Sequence, residues 1–192
     1  MTHRQAYLVV LIVLFSHMSQ AEVILREQFT YYVIEPANIQ QIKQQLREKS
    51  PISKDNQLFH GGTQWQLRPM FALQIKSNLC HVVKVSVSLE GIYTLPKLDA
   101  HPSIPKDTQL RFEQYYSALL EHEVGHQQLW LEAGEKIENM LNNLTGHFQC
   151  APLKTTATER VKKIVTTYQI LNQEYDQQTG HGRTQGAYIA DN

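Results

Sequence analysis

His122, Glu123, Val124, Gly125 and His126 spell H-E-x-x-H, a spacing that sets two imidazoles and a carboxylate on one turn of helix. Side chains four residues apart on an α-helix stand roughly 40° apart around the axis and about 6 Å along it, so both imidazoles can converge on one divalent ion. Glu123 then lies beside that ion, placed to take a proton from a water whose pKa zinc lowers from about 16 to about 7. On this reading the chain is a zinc-dependent hydrolase, one zinc per chain, that attacks a peptide or other amide carbonyl with Glu123 as general base.

The helix around the string is informative. Phe112, Tyr116, Leu119, Glu123, His126, Trp130, Ala133, Ile137, Met140 and Leu144 recur at alternating steps of four and three, the stripe of a long amphipathic helix. A solvated charged face would lie opposite that stripe, yet Glu123 and His126 fall within it, where an unpaired polar group is costly to bury. A metal and its water would satisfy them. Gly125 costs the helix up to about 1 kcal/mol relative to alanine, so it either admits substrate or another backbone at close range or is neutral.

Two ligands leave a metal incomplete, and helix geometry limits the source of the third. Along the same helix His147 would lie roughly 27 Å beyond His126 and Glu138 about 18 Å beyond it, both out of reach. A second long helix is predicted to begin near Thr156, with Val161, Ile164, Val165, Tyr168, Leu171 and Tyr175 on its apolar side. If it folds back through the short link around Pro152, its roughly 20 residues climb about 30 Å and return the chain to the level of residue 125. His181, between Gly180 and Gly182, is then delivered to the site as third ligand, with Asp176 or Thr179 supporting a ligand's second nitrogen. Glu174 reaches the same level and is the competing donor. Tyr175 is a candidate stabiliser of the developing oxyanion, or a core tyrosine. His60 and His81 read as loop and strand residues.

Upstream, the apolar pattern changes from helical to alternating. Trp65, Leu67, Phe71, Leu73 and Ile75 share one parity, as do Val83, Val85, Val87 and Leu89, predicting two half-buried strands joined by a turn at Lys76, Ser77 and Asn78. Pro69 places its strand at an edge or a bulge. A further strand is expected from Val23 to Ile34, followed by a short helix carrying Ile39, Ile42 and Leu46. The architecture expected is α+β, an antiparallel sheet packed on two long helices.

The chain of 192 residues opens with His3 and Arg4, an apolar run from Ala6 to Phe15, and Ser19, Gln20 and Ala21. These read as a secretory signal over residues 1–21 with cleavage after Ala21, leaving 22–192 as one domain in a periplasmic or extracellular location. Shorter than the roughly 20 residues of a spanning helix, the run predicts no stable membrane insertion after cleavage. Cys80 and Cys150 are the only cysteines, and an oxidising compartment makes them a disulfide. With 18 basic and 18 acidic residues, the chain has no net charge and no basic stripe to bind nucleic acid. The expected partner is a peptide or protein substrate.

The chain also resembles a known family, the bacterial predicted secreted zinc-dependent proteases grouped as a domain of unknown function. The resemblance rests on the signal sequence, strands ending in Ile92, Tyr93, Thr94, Leu95 and Pro96, the H-E-x-x-H helix and the two cysteines. Above all it rests on Tyr175, Asp176, Thr179, His181 and Gly182, with Gln185, Gly186 and Ala187 following. It implies a zincin-like metallopeptidase with His122, His126 and His181 as ligands and Glu123 as catalyst. The alternative carried forward is a non-catalytic secreted or envelope-assembly binding protein with a structural zinc site.

Overall fold

The computed structural model describes residues 23–54, 56–99 and 104–190; the signal sequence expected at 1–21 lies outside them. Strand β1 (Ile24–Ile34) leads into helix α1 (Ile39–Lys49), whose first turn is closed by the Asn38 side chain accepting from the Gln41 amide at 2.9 Å. A small hairpin, β2 (Ile52–Lys54) and β3 (Gln57–Phe59), precedes the long strands β4 (Gly62–Lys76) and β5 (Leu79–Leu98). Helices α2 (Lys106–Asn142) and α3 (Cys150–Thr179) follow.

The main sheet has the order β1-β5-β4. Strands β4 and β5 pair antiparallel from Gly62↔Thr94 to Lys76↔Leu79. Their two-residue turn is Ser77 and Asn78, both at positive φ (52° and 60°), the backbone shape that matches strand twist. Pro69 sits on this edge strand, and the register slips between Met70 and Ala72, so both readings of that proline hold. One pairing departs from the expected antiparallel sheet: β1 runs parallel to β5, from Ile24↔Ser88 to Ile34↔Leu98. Alternation along a strand records which face is buried, not the strand's direction, and the crossover through α1 and the hairpin sets that direction.

Helix α2 lies across the sheet and buries its apolar side in two separate clusters. Phe112, Tyr115 and Leu119 join Ile34, Ile42, Leu46, Tyr93 and Leu95 at one end. Ile137 and Leu141 join Val23, Val87, Leu89 and Ala157 at the other. Each fully buried aliphatic or aromatic side chain contributes about 1.5–3 kcal/mol. Between the clusters α2 buries His122, Glu123 and Gln127 before the small residues Ala133 and Gly134, so the H-E-x-x-H turn occupies a polar waist in the core. The buried line includes Tyr115 rather than Tyr116, a small rotation from the predicted stripe.

The start of α3 corrects the expected one near Thr156: Gln149 stands at its N-cap position, without a side-chain capping bond, and Cys150 is its first residue. Pro152 stands in the first turn, where its missing N–H is one of the donors that no helix satisfies internally. Cys80 and Cys150 form a disulfide with Cα atoms 5.2 Å apart, tying the start of β5 to the start of α3. Closing a loop of 70 residues stabilises by at most about 4–5 kcal/mol in the chain-entropy account. The disulfide suits an extracellular or periplasmic location, and none of the described helices is long and apolar enough to cross a membrane.

A candidate metal centre between the two long helices

Contacts between α2 and α3 run in opposite order along the two helices. Glu132 meets Tyr168, His126 meets Asn172, and His122 meets Thr179. Tyr175 returns to the level of Gly125, as helix rise predicts. A Cβ on Gly125 would stand 2.1 Å from the Tyr175 Oη, so that glycine admits an aromatic side chain rather than a backbone. The Tyr175 ring stacks on His122 (centroids 5.0 Å, 10°) and meets His126 edge-on (5.0 Å, 89°). Its hydroxyl donates to the His122 carbonyl at 3.3 Å and accepts from Gln185 Nε2 at 3.0 Å.

At the centre lies one oxygen. Asp176 Oδ1 is 3.0 Å from His126 Nε2, 3.3 Å from His122 Nε2 and 3.3 Å from His181 Nδ1. The other ring nitrogens face amides: His126 Nδ1 is 2.8 Å from Asn172 Oδ1, and His122 Nδ1 is 3.0 Å from Gln185 Oε1. Asn172 spends its NH2 on the Tyr168 carbonyl (2.8 Å) and Gln185 spends its own on Tyr175, so each presents an oxygen that accepts. The Nδ1 atoms of both histidines therefore carry hydrogen, and both Nε2 atoms point their lone pairs inward in the neutral rings. Two lone pairs and a carboxylate oxygen facing one another repel unless a proton or a cation lies between them.

That donor chemistry fits a metal. The ligand atoms of His122, His126 and Asp176 all lie within 4.8 Å of one another, and this His-His-Asp group could hold an ion. Without one, protons do part of the work. Burial acts to lower the His126 pKa, but hydrogen bonds to Asp176 and Asn172 outweigh it and the pKa rises. Burial acts to raise the Asp176 pKa, and the hydrogen bonds and charges of the histidines overturn that, holding the carboxyl well below the usual carboxylate range.

Glu123 is 3 % exposed and accepts from Thr63 Oγ1 at 2.9 Å. Burial pushes its carboxyl up, opposed by the Thr63 hydrogen bond and by the charges of His126 and His122. It lines, with His122, His126, Asp176 and His181, an open cleft of 1140 Å³ walled by the β2–β3 hairpin on one side and α3 on another. His181 follows the αL cap Gly180 and itself has φ 53°. Its side chain is 47 % exposed, and its ring packs against Phe59 of the hairpin (4.7 Å).

The chain belongs to the family described as bacterial protein of unknown function (DUF922), whose model matches residues 29–182. No curated protein and no solved structure matches it significantly. The DUF922 span takes in Thr63, His122, Glu123, His126, Asn172, Asp176 and His181 and both cysteines, and stops short of Gln185.

The other sequence-derived candidates fall as follows. Thr179, expected as outer support, does reach His122 Nδ1, at 3.4 Å. Asp176, expected in the same outer role, stands among the inner donors. Glu174 lies on the exposed side of α3, because it is two residues, about 200° of helix, from Asp176. His60 lines the cleft with Nδ1 3.0 Å from the Tyr115 hydroxyl. His81 packs beside Gly146 near the disulfide. Thr63, Asn172 and Gln185 were not assigned roles from sequence; Asn172 and Asp176, four apart on the returning helix, carried a readable signal.

Proposed function

We propose that this protein is a secreted zinc-dependent peptidase. The observation that carries the reading is the convergence of two inward Nε2 lone pairs and a carboxylate oxygen beside a buried glutamate in an open cleft. His122, His126 and Asp176 would hold the ion, with His181 within reach as a further donor. When bound, zinc supplies a Lewis acid that polarises a carbonyl and acidifies water. Glu123, steadied by Thr63, would take a proton from the attacking water and pass it to the departing amine nitrogen. Asn172 and Gln185 hold the imidazoles in the ligating tautomer. Tyr175 fills the space between the rings and fixes their orientation. The free edge of β4 at Gly62 and Thr63 suits an extended peptide added as a strand.

A second reading is favoured by one contact: His181 Nδ1 meets the same Asp176 oxygen as the other two imidazoles. Four protein donors would close the coordination shell and make the metal structural in a binding or envelope-assembly protein. Protein purified without chelator or added zinc, analysed for bound metal and digested against a peptide library, separates the two. The peptidase reading expects one zinc per chain, peptide cleavage, and in Glu123→Gln a loss of about 10²–10⁴-fold in turnover with zinc retained. Zinc without any cleavage favours the structural site. Full turnover in Glu123→Gln removes Glu123 as the base.

A further inference from the structure

We infer that the cleft selects peptides carrying carboxylate side chains close to the bond that is cut, an inference that rests on the peptidase reading and names its substrate class. The charges lining the cleft are unevenly employed. Its two carboxylates are engaged internally, Glu123 by Thr63 and Asp176 by the imidazoles. Its two permanent cations are not. Lys54, from β2, and Arg183, just after His181, are exposed on the cleft and have no ion-pair partner among the described residues. They come from the hairpin and from the segment following α3, so the two structures that rim the site each contribute one positive charge.

This is a local feature and not an overall one, because the chain carries 18 basic and 18 acidic residues. Arg47 adds to the same field: after burial itself, its charge is what pushes the His60 imidazole on the cleft wall down. The amides of Gln57, Gln169 and Gln173 add to the polar lining and can donate to carbonyl or carboxylate oxygens. A glutamate or aspartate a few residues from the reacting bond would be attracted by Lys54 on the hairpin side or Arg183 beyond α3. A lysine would meet repulsion. Exposed cations act over roughly a Debye length, about 8–10 Å in ordinary buffer, which spans two or three residues of an extended peptide on either side.

The test uses the full mature chain with zinc bound and three labelled peptides that differ only in flanking residues, carrying Glu, Gln or Lys. The expected order of kcat/KM is Glu over Gln over Lys, with roughly tenfold between the extremes and a smaller spread at high salt. The double variant Lys54→Glu/Arg183→Glu is expected to invert the order. Equal cleavage of all three peptides, or an order unmoved by charge reversal, overturns the inference and leaves the peptidase reading standing. Cleavage of none overturns the peptidase reading, and anisotropy of the same peptides then decides separately. Tighter binding of the Glu peptide supports a carboxylate-selecting cleft, and equal binding refutes it.

Discussion

Replacing Gly125 by alanine should reverse the usual sign of a glycine-to-alanine change in a helix. In an open helix interior the substitution stabilises by about 1 kcal/mol, since alanine restricts the unfolded chain and suits the helix. Here the new Cβ would lie 2.1 Å from Tyr175 Oη, 2.5 Å from Cζ and 2.9 Å from Cε1. All three distances are below ordinary contact, and the helix backbone cannot retreat without breaking its own hydrogen bonds. The ring must therefore move by an ångström or more, giving up its bond to the His122 carbonyl and its stacking on His122. Overpacking of this kind costs about 1–3 kcal/mol, which exceeds the helical gain. In a Tyr175→Ala background the obstacle is gone, and Gly125→Ala should stabilise by about 0.5–1 kcal/mol. Urea unfolding of the disulfide-intact chain, measured over the four members of the cycle, should thus show a coupling of about 1–3 kcal/mol between positions 125 and 175, because the helical gain is common to both backgrounds and cancels. Because the ring orients both histidines, Gly125→Ala should also weaken zinc affinity, read by competition with a chromophoric chelator. If Gly125→Ala stabilises equally with and without the tyrosine, the close packing described here is wrong.

Three further outcomes follow from the same geometry. Asp176→Ala should lower zinc affinity more than His181→Ala does, measured by the same competition; the reverse order would return the third ligand to residue 181. Gln185→Leu removes the acceptor of the His122 Nδ1 hydrogen and should weaken zinc binding about 10–100-fold while altering urea unfolding little. The metal-free protein should be pH-sensitive in a particular window. His126 has a folded pKa raised above its unfolded 6.5, so its stabilisation is complete below that pH and lost as pH rises through the folded value. Asp176 has a folded pKa depressed below its unfolded 3.8, so its contribution is present above that pH and lost as pH falls through the lower folded value. Thermal unfolding should therefore peak between about pH 4 and 6.5 without metal. With zinc, stability should keep rising toward pH 8 as protons cease to compete for the imidazoles.

Much of this arrangement was legible in the residues. The three long strands, the Ser77–Asn78 turn and the level at which α3 returns to α2 follow from periodicity, turn chemistry and helix rise, and the cysteine pairing follows from an oxidising compartment; the short β2–β3 hairpin carries no such pattern. What periodicity does not record is direction, which is why the parallel pairing of β1 with β5 escaped it. Rise along a helix sets height but leaves open which side chain faces across. That required the phase of α3, in which Asn172 and Asp176 share the side toward His126 and Glu174 does not. Gln185 stood out only as part of the run that resembles the family, and its bond to His122 escaped the sequence for a different reason: its place depends on the irregular dihedrals of Gly180, His181 and Gly182, which no repeating pattern encodes.

The family match ends at Gly182, three positions short of Gln185, and begins at Phe29, after Val23 has already packed against Gly134 and the second apolar cluster. A fragment trimmed to the matched span would therefore keep every donor and yet strip one histidine of its acceptor and the sheet of an apolar anchor. Low metal occupancy in such a fragment would report on where it was cut rather than on what the intact protein binds.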